Sequence, residues 1–148
     1  MDGMDRAMLR RLQDDGRMTA TALAEGVGLT LAPCHRRLRE LENSGVIRGY
    51  RVDVDPAKVG LGFEALVFVT LKDRLSLKPF EEEVAEIGPI IDAQRLFGDP
   101  DFLLRVMAED LPAYQRFYDD VLVGLPGVEK LTSTIVMKSI KSGGRLPI

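Results

Sequence analysis

One cysteine, one histidine and no tryptophan in 148 residues close off several chemistries at once. A single cysteine forms no internal disulfide, and that scarcity fits a reducing compartment. One cysteine and one histidine supply no cluster of ligands for a zinc site. The histidine, His35, lies inside an arginine-rich segment of the N-terminal half. The C-terminal half therefore has no imidazole for a Ser–His–Asp or Cys–His set. Long apolar runs are missing too: none approaches the roughly 20 residues that cross a bilayer. The opening Met-Asp-Gly-Met-Asp-Arg lacks the basic-then-apolar pattern of a signal peptide. A cytoplasmic protein without metal or cofactor is expected. Its hydrophobic content of 45% is enough for one compact domain or two small ones.

What is present is concentrated between Thr19 and Gly49. Ala20 to Val27 has helical spacing through Ala22, Leu23, Ala24 and Val27, and Gly28 breaks it. Thr30 is a candidate cap for a second helix, and Pro33 falls in its first turn, where a missing N–H costs little. That helix is expected over Leu31–Asn43, with Gly45 as its stop. At about 100° per residue, Leu31, Cys34, Leu38 and Leu41 share one face. Ala32, Arg36 and Arg39 point the opposite way, and Arg37 lies on the flank. Cys34 thus reads as a core residue rather than a reactive thiol. Met4 to Asp15 supplies an earlier helix through Ala7, Met8, Leu9 and Leu12, closed by Gly16. Val46 to Val52 has strand character, with Gly49 as a turn candidate. Three helices and a short β-ribbon make a winged helix–turn–helix, whose second motif helix enters the DNA major groove.

An arginine cluster can be an ordinary solvated face, but its position on this helix argues for a polyanion. Residues 1–51 carry nine Arg and no Lys against seven acidic residues, a net of +2; residues 52–148 carry eleven basic residues against sixteen acidic, a net of −5. A basic head on an acidic body binds DNA through its local field, not through the total charge. Arg36 and Arg39 are placed to read base edges and Ala32 to meet a thymine methyl. Arg37, Arg48 and Arg51 are assigned to phosphate. Thr30 and Pro33 complete the candidate DNA-binding face.

After residue 52 the periodicity changes. Residues 53–62, with Pro56, Gly60 and Gly62, read as a connector between a domain at 1–52 and another at 63–148. The second shows a β-rich run Phe63–Leu71, a helix Ser76–Gly88 with Phe80, Val84 and Ile87 inward, and a strand Ile90–Phe97. A Gly98-Asp99-Pro100-Asp101 turn follows, then a strand Phe102–Ala108. Asp110 caps a helix bearing Tyr114, Phe117, Tyr118, Val121 and Leu122, and a last strand spans Val128–Ile140. The order β-α-β-β-α-β is ferredoxin-like, so the fold class is α+β. Two helices cover one sheet face, and both sides of Phe63–Leu71 are largely apolar. The bare face is therefore a candidate homodimer surface.

This arrangement resembles the Lrp/AsnC family of feast/famine transcriptional regulators over nearly the whole chain. The likeness rests on Asp14–Arg17, Leu23–Thr30, Arg37–Ile47, Gly98–Val106, Leu125–Val128, the Thr132-Ser133-Thr134 strand, and a tail of Lys141 with Leu146-Pro147-Ile148. The lead-in to the first helix is shorter than in many members, and Thr30 stands where serine is common. The resemblance implies a DNA-binding regulator that responds to an amino acid or related small metabolite. It also implies dimers that assemble further, commonly to octamers. The effector is expected near Phe97, Gly98, Asp99, Pro100 and Asp101, with Asp101 accepting from an ammonium group and Gly98 admitting close approach. Thr132, Ser133 and Thr134 are secondary contacts. For these aspartates a plain turn is the competing reading.

Other classes fit less well. Haem-pathway decarboxylases that resemble this family are expected to need polar catalytic groups in the sheet domain, and no histidine is there. An effector sensor or architectural protein without gene-specific DNA binding would not need the arginine face.

Overall fold

A computed structural model describes residues 1–148, which fall into two compact units: Met1–Asp53 with Lys141–Ile148, and Val54–Ile140.

The first unit is built on helices α1 (Gly3–Asp14), α2 (Ala20–Val27) and α3 (Leu31–Asn43). Asp2 and Asp5 start α1 with a reciprocal capping box: each side chain accepts the other's backbone N–H, at 2.9 and 2.8 Å. The Thr19 hydroxyl accepts the Ala22 N–H at 3.1 Å to start α2. Gly28 ends α2 at φ 73°, a left-handed geometry that costs glycine nothing, and turns the chain into α3. The three helices bury Met8, Leu23, Ala24 and Cys34, with Leu12, Met18, Val27, Leu29 and Leu38 packed around them. The apolar stripes expected from helical spacing thus meet in one small core.

The second unit is a four-stranded antiparallel sheet in the order β2-β3-β1-β4, from β1 (Phe63–Leu71), β2 (Ile90–Arg95), β3 (Phe102–Ala108) and β4 (Val128–Ile135). Helices α4 (Leu77–Ala85) and α5 (Leu111–Asp120) complete the ferredoxin-like order. Side chains alternate between the two sheet faces. Ala65, Val67 and Val69 of β1 are fully buried together with Leu104, Val106, Phe80 and Leu122. Between them, Leu66, Phe68 and Thr70 are only half-buried, on the opposite face. Tyr114 joins the core from α5, its ring tilted against Phe63 with centroids 5.2 Å apart, and the Phe80 ring from α4 lies 4.6 Å from that of Phe102.

Several boundaries differ from expectation. Residues 46–52 form no strand, and hence no β-wing. A strand needs a neighbour's ladder bonds, and this segment has none; Gly49 sits at φ 149° and Val52 is exposed. β4 stops at Ile135 rather than Ile140: Ala65 opposite Ile135 is the last pair, and only the Val136 N–H, donating to the Glu64 carbonyl at 2.9 Å, follows it along β1. β2 stops at Arg95 rather than Phe97 because its partner runs out there: Arg95 already faces the first residue of β3, Phe102. α4 is shorter than Ser76–Gly88, with a 3₁₀ turn at Arg74–Ser76 before it. Val121 and Leu122 lie beyond the end of α5.

The second unit also does not extend to residue 148. Lys141–Ile148 belongs to the first unit, where Gln13 bonds the Leu146 backbone on both sides: its Oε1 accepts the N–H at 2.6 Å and its Nε2 donates to the carbonyl at 3.3 Å. Arg145 pairs with Asp14, and Arg10 donates to the Ile148 carbonyl at 2.8 Å. These polar contacts to α1 could not be read from the tail's own sequence.

Candidate functional site

The outer face of α3 carries a shallow groove lined by Ala32, His35, Arg36, Arg39, Glu40 and Asn43. These residues recur at helical spacing, so one face presents them all. Cys34 and Leu41 are buried on the other side and fix the helix's rotation about its axis. Arg36 and Arg39 are exposed. Arg36 makes only a loose ion pair with Glu40, at 3.9 Å between side chains about 70% exposed, a contact of little strength in water. Both guanidiniums are therefore available to a polyanion. His35 and Asn43 share the groove but were not singled out from the sequence, although the spacing that placed Arg36 and Arg39 there includes them.

Three details of α3 differ from expectation. Thr30 occupies the cap position of α3, but its side chain makes no capping hydrogen bond. Leu31, expected inward, is 46% exposed, being the helix's first residue and beyond the reach of the core. Arg37, expected at phosphate, is already paired within the fold. Its Nη1 donates to Asp2 and Asp5 at 2.8 Å each, and its side chain is 25% exposed. The Asp5 and Asp2 carboxylates raise the guanidinium's pKa. In turn the Asp2 carboxyl is held below its ordinary range, first by the Asp5 backbone N–H and then by Arg37.

Arg48 and Arg51 are exposed but lie apart from the α3 groove. They line a second groove of the first unit, of about 610 Å³, with Leu9, Val46, Tyr50 and Leu146. Tyr50 anchors that segment by donating to Glu42 at 2.9 Å. Cys34 is fully buried, its thiol directed at the Ala20 carbonyl at 3.7 Å. Burial pushes its pKa up, as expected of a core residue and unlike an activated nucleophile.

In the second unit the expected ligand residues are only partly brought together. Phe97–Asp101 forms the loop between β2 and β3, with Phe97 fully exposed and Gly98 at φ 137° with open space beside it. The Asp99–Pro100 peptide is cis. Asp99 accepts from the Thr70 hydroxyl at 3.4 Å. Asp101 is committed to the fold: its Oδ2 accepts the Leu71 N–H at 2.7 Å, its N–H donates to the Val69 carbonyl at 2.9 Å, and its carbonyl accepts from Leu96 at 2.7 Å.

Register separates the three residues of the Thr-Ser-Thr strand. Thr132 stands opposite Phe68 and Thr134 opposite Leu66, on the bare sheet face. Ser133 stands opposite buried Val67, on the helix-covered face, and shares a short hydrogen bond with Tyr114. Burial raises the Tyr114 pKa, and the Ser133 contact opposes that effect. On the bare face, Arg105 donates to Glu64 at 2.6 Å, and this bond raises the guanidinium's pKa. Thr70, Arg105 and Glu64 are polar groups of this face that sequence reasoning passed over; strict alternation along β1 and β3 would have placed them there.

Comparison with known proteins agrees with both units. Residues 1–48 match the winged helix-turn-helix DNA-binding family, and residues 64–146 match the Lrp/AsnC ligand binding domain. The DNA-binding transcriptional activator DecR of Escherichia coli is 36% identical, covering 100% of this chain and 99% of the relative. The leucine-responsive regulatory protein of Rhizobium meliloti is also 36% identical, covering 100% and 96%. Among solved structures, a transcriptional regulator of Neisseria meningitidis in complex with L-Met superposes with a TM-score of 0.94 at 34% identity, covering 99% of this chain and 96% of that one. With both units and the full length matched, the chain belongs to the Lrp/AsnC family of transcriptional regulators.

Proposed function

We propose that this protein is a sequence-specific DNA-binding transcriptional regulator whose action on DNA is set by an amino acid or related small metabolite held by the sheet unit. The observation that carries the reading is the α3 groove, where Arg36 and Arg39 stand exposed beside Ala32, His35 and Asn43. Arg36 and Arg39 read base edges, each well-made bidentate contact contributing about 1–3 kcal/mol of discrimination. Arg48 and Arg51 meet phosphate. A regulator of this kind works in the compartment that holds the DNA. Its relatives are regulators and its sheet unit has no histidine, so an enzymatic role has no support.

The effector reading rests on the ligand-binding family of residues 64–146 and on the L-Met complex of the Neisseria relative. Asp99, Gly98 and the bare-face hydroxyls of Thr132 and Thr134 are the groups offered to such a ligand. The half-buried Leu66, Phe68 and Leu103 on the bare face favour a homodimer through it, with larger assemblies built from dimers. A ligand that favours one assembly shifts the spacing of the DNA-reading heads, and DNA must shift ligand affinity by the same factor.

The test is binding to duplex DNA selected by the protein from a random pool, read by fluorescence anisotropy over a range of salt. Arg36→Ala should relax base preference, whereas Arg48→Ala should weaken all sequences alike and flatten the salt dependence. Unchanged affinity and preference in Arg36→Ala would remove the docking assignment. A thermal-shift screen against the amino acids, with light scattering alongside, tests the effector and assembly readings together.

A further inference from the structure

We infer that Arg37 is a positioning residue of the DNA-reading helix, seated in the capping box of α1, and not one of its phosphate anchors. The inference rests on the proposed DNA face of α3.

The capping box uses one oxygen of each carboxylate, Asp2 Oδ1 for the Asp5 N–H and Asp5 Oδ2 for the Asp2 N–H. The other two oxygens, Asp2 Oδ2 and Asp5 Oδ1, both accept from Arg37 Nη1. Every oxygen of the pair is thereby engaged. The motif that starts α1 doubles as a socket for a side chain from the middle of α3. Bonds between ionised partners are the stronger and more directional kind. Asp5 is the more enclosed carboxylate, 14% exposed against 54% for Asp2.

The charge count leads to the same role. Two carboxylates, Asp2 and Asp5, face the Arg37 guanidinium and the Met1 ammonium, 4.0 Å from Asp5, so the guanidinium's charge is already balanced within the fold and adds little pull on a phosphate. The small core around Met8, Leu23 and Cys34 packs the three helices without direction, and the other polar links run to α2, from Arg11 to the Gly26 carbonyl at 3.2 Å and from the Cys34 thiol to the Ala20 carbonyl at 3.7 Å. The Arg37 socket adds a fixed polar point between α1 and α3, distant in sequence by 35 residues at Asp2 and 32 at Asp5. Such a point holds the tilt of α3, and with it the aim of Arg36 and Arg39.

The experiment compares Arg37→Gln, Asp5→Asn and Arg39→Gln on a duplex selected from a random pool by the wild-type protein, at a temperature where each variant is folded. A positioning role predicts that Arg37→Gln and Asp5→Asn both weaken binding several-fold and blur base preference, with the slope of log affinity against log salt unchanged. Arg39→Gln should alter affinity or preference through direct contact. An anchoring role predicts the opposite: Arg37→Gln loses about 0.9 of that slope, the value of one phosphate contact, and Asp5→Asn, by freeing the arginine, binds more tightly. Either anchoring result overturns the inference. If Arg37→Gln does not fold, Asp5→Asn decides alone, because it keeps the arginine and the cap. If Arg39→Gln changes nothing, the DNA face itself is misassigned; amide hydrogen exchange across Leu31–Asn43 then tests the socket without DNA. Faster exchange in both Arg37→Gln and Asp5→Asn would support it, and wild-type protection in both would overturn it.

Discussion

Asp101 accepts the backbone N–H of Leu71 at 2.7 Å, tying the loop before β3 to the end of β1. Leu71 is only 7% exposed, so the carboxylate satisfies a donor that water would scarcely reach. Asp101→Ala should destabilise the sheet unit by about 1–3 kcal/mol, the cost of an unpaired buried donor. Asp101→Asn, which keeps an acceptor, should cost less. Urea unfolding measures both. Asp99, exposed and bonded only to Thr70, should behave differently: Asp99→Ala should alter the ligand response while leaving the melt unchanged. If Asp101→Ala melts like wild type and alone loses the ligand response, the ammonium-binding role returns to Asp101.

Gly127 occupies a position that no other residue fits. Its φ is 67°, and a Cβ there would overlap the Cβ and Oγ of Ser76. Its carbonyl also accepts the Lys72 N–H at 2.8 Å, so the backbone is not free to withdraw. Gly127→Ala should cost roughly 1–3 kcal/mol from the backbone conformation alone, and more from the overlap. Adding Ser76→Gly should restore the overlap part only. Denaturant midpoints for the two single variants and the double variant give the coupling; strict additivity would show that the two residues do not meet.

The first unit should weaken in acid in a way that depends on Asp2. Its folded-state pKa lies below the ordinary carboxylate value because the Asp5 N–H and Arg37 favour the charged form. The associated stabilisation is therefore complete above the unfolded-state value of about 3.9 and is lost as pH falls through the folded-state value. Between about pH 6 and about pH 3, wild type should lose thermal midpoint more steeply than Asp2→Asn. Parallel curves would mean that the carboxylate contributes nothing to the fold.

Cys34 should report on unfolding rather than on redox state. It is fully buried, and burial raises its pKa, so little thiolate forms at neutral pH. Labelling by iodoacetamide should be slow in the native protein and should rise along the urea transition of the first unit. Rapid stoichiometric labelling without denaturant would contradict its place in the core.

Elements that depend on local pattern could be read directly from the chain. Helical spacing located α2 and α3 to the residue, and β-rich apolar runs bounded by turn residues located β1 and β3. Ala32, Arg36 and Arg39 emerged as one exposed face because the angle between successive helical residues is fixed by the backbone. Elements that need a partner were misjudged. The length of β2 is set by where β3 begins, and residues 46–52 lack a neighbour to make them a strand.

The sequence by itself determined the secondary-structure order, the ferredoxin-like succession of the second unit and the helix–turn–helix with its arginine-bearing α3. These follow from spacing, caps and breakers within a few turns of chain. Tertiary structure alone decided which charges are already spent. Arg37 was assigned to phosphate because it lies on the right helix, yet carboxylates 32 and 35 residues earlier hold it. Asp101 carries the charge an ammonium ligand would want, and one of its two oxygens already accepts a backbone N–H 30 residues away. Ser133 sits between two threonines, yet its register with β1 turns it to the opposite sheet face. An ionic or hydrogen-bonding group has a few partner sites and a reach of about 3 Å, and which partner fills them is settled only when distant segments come together.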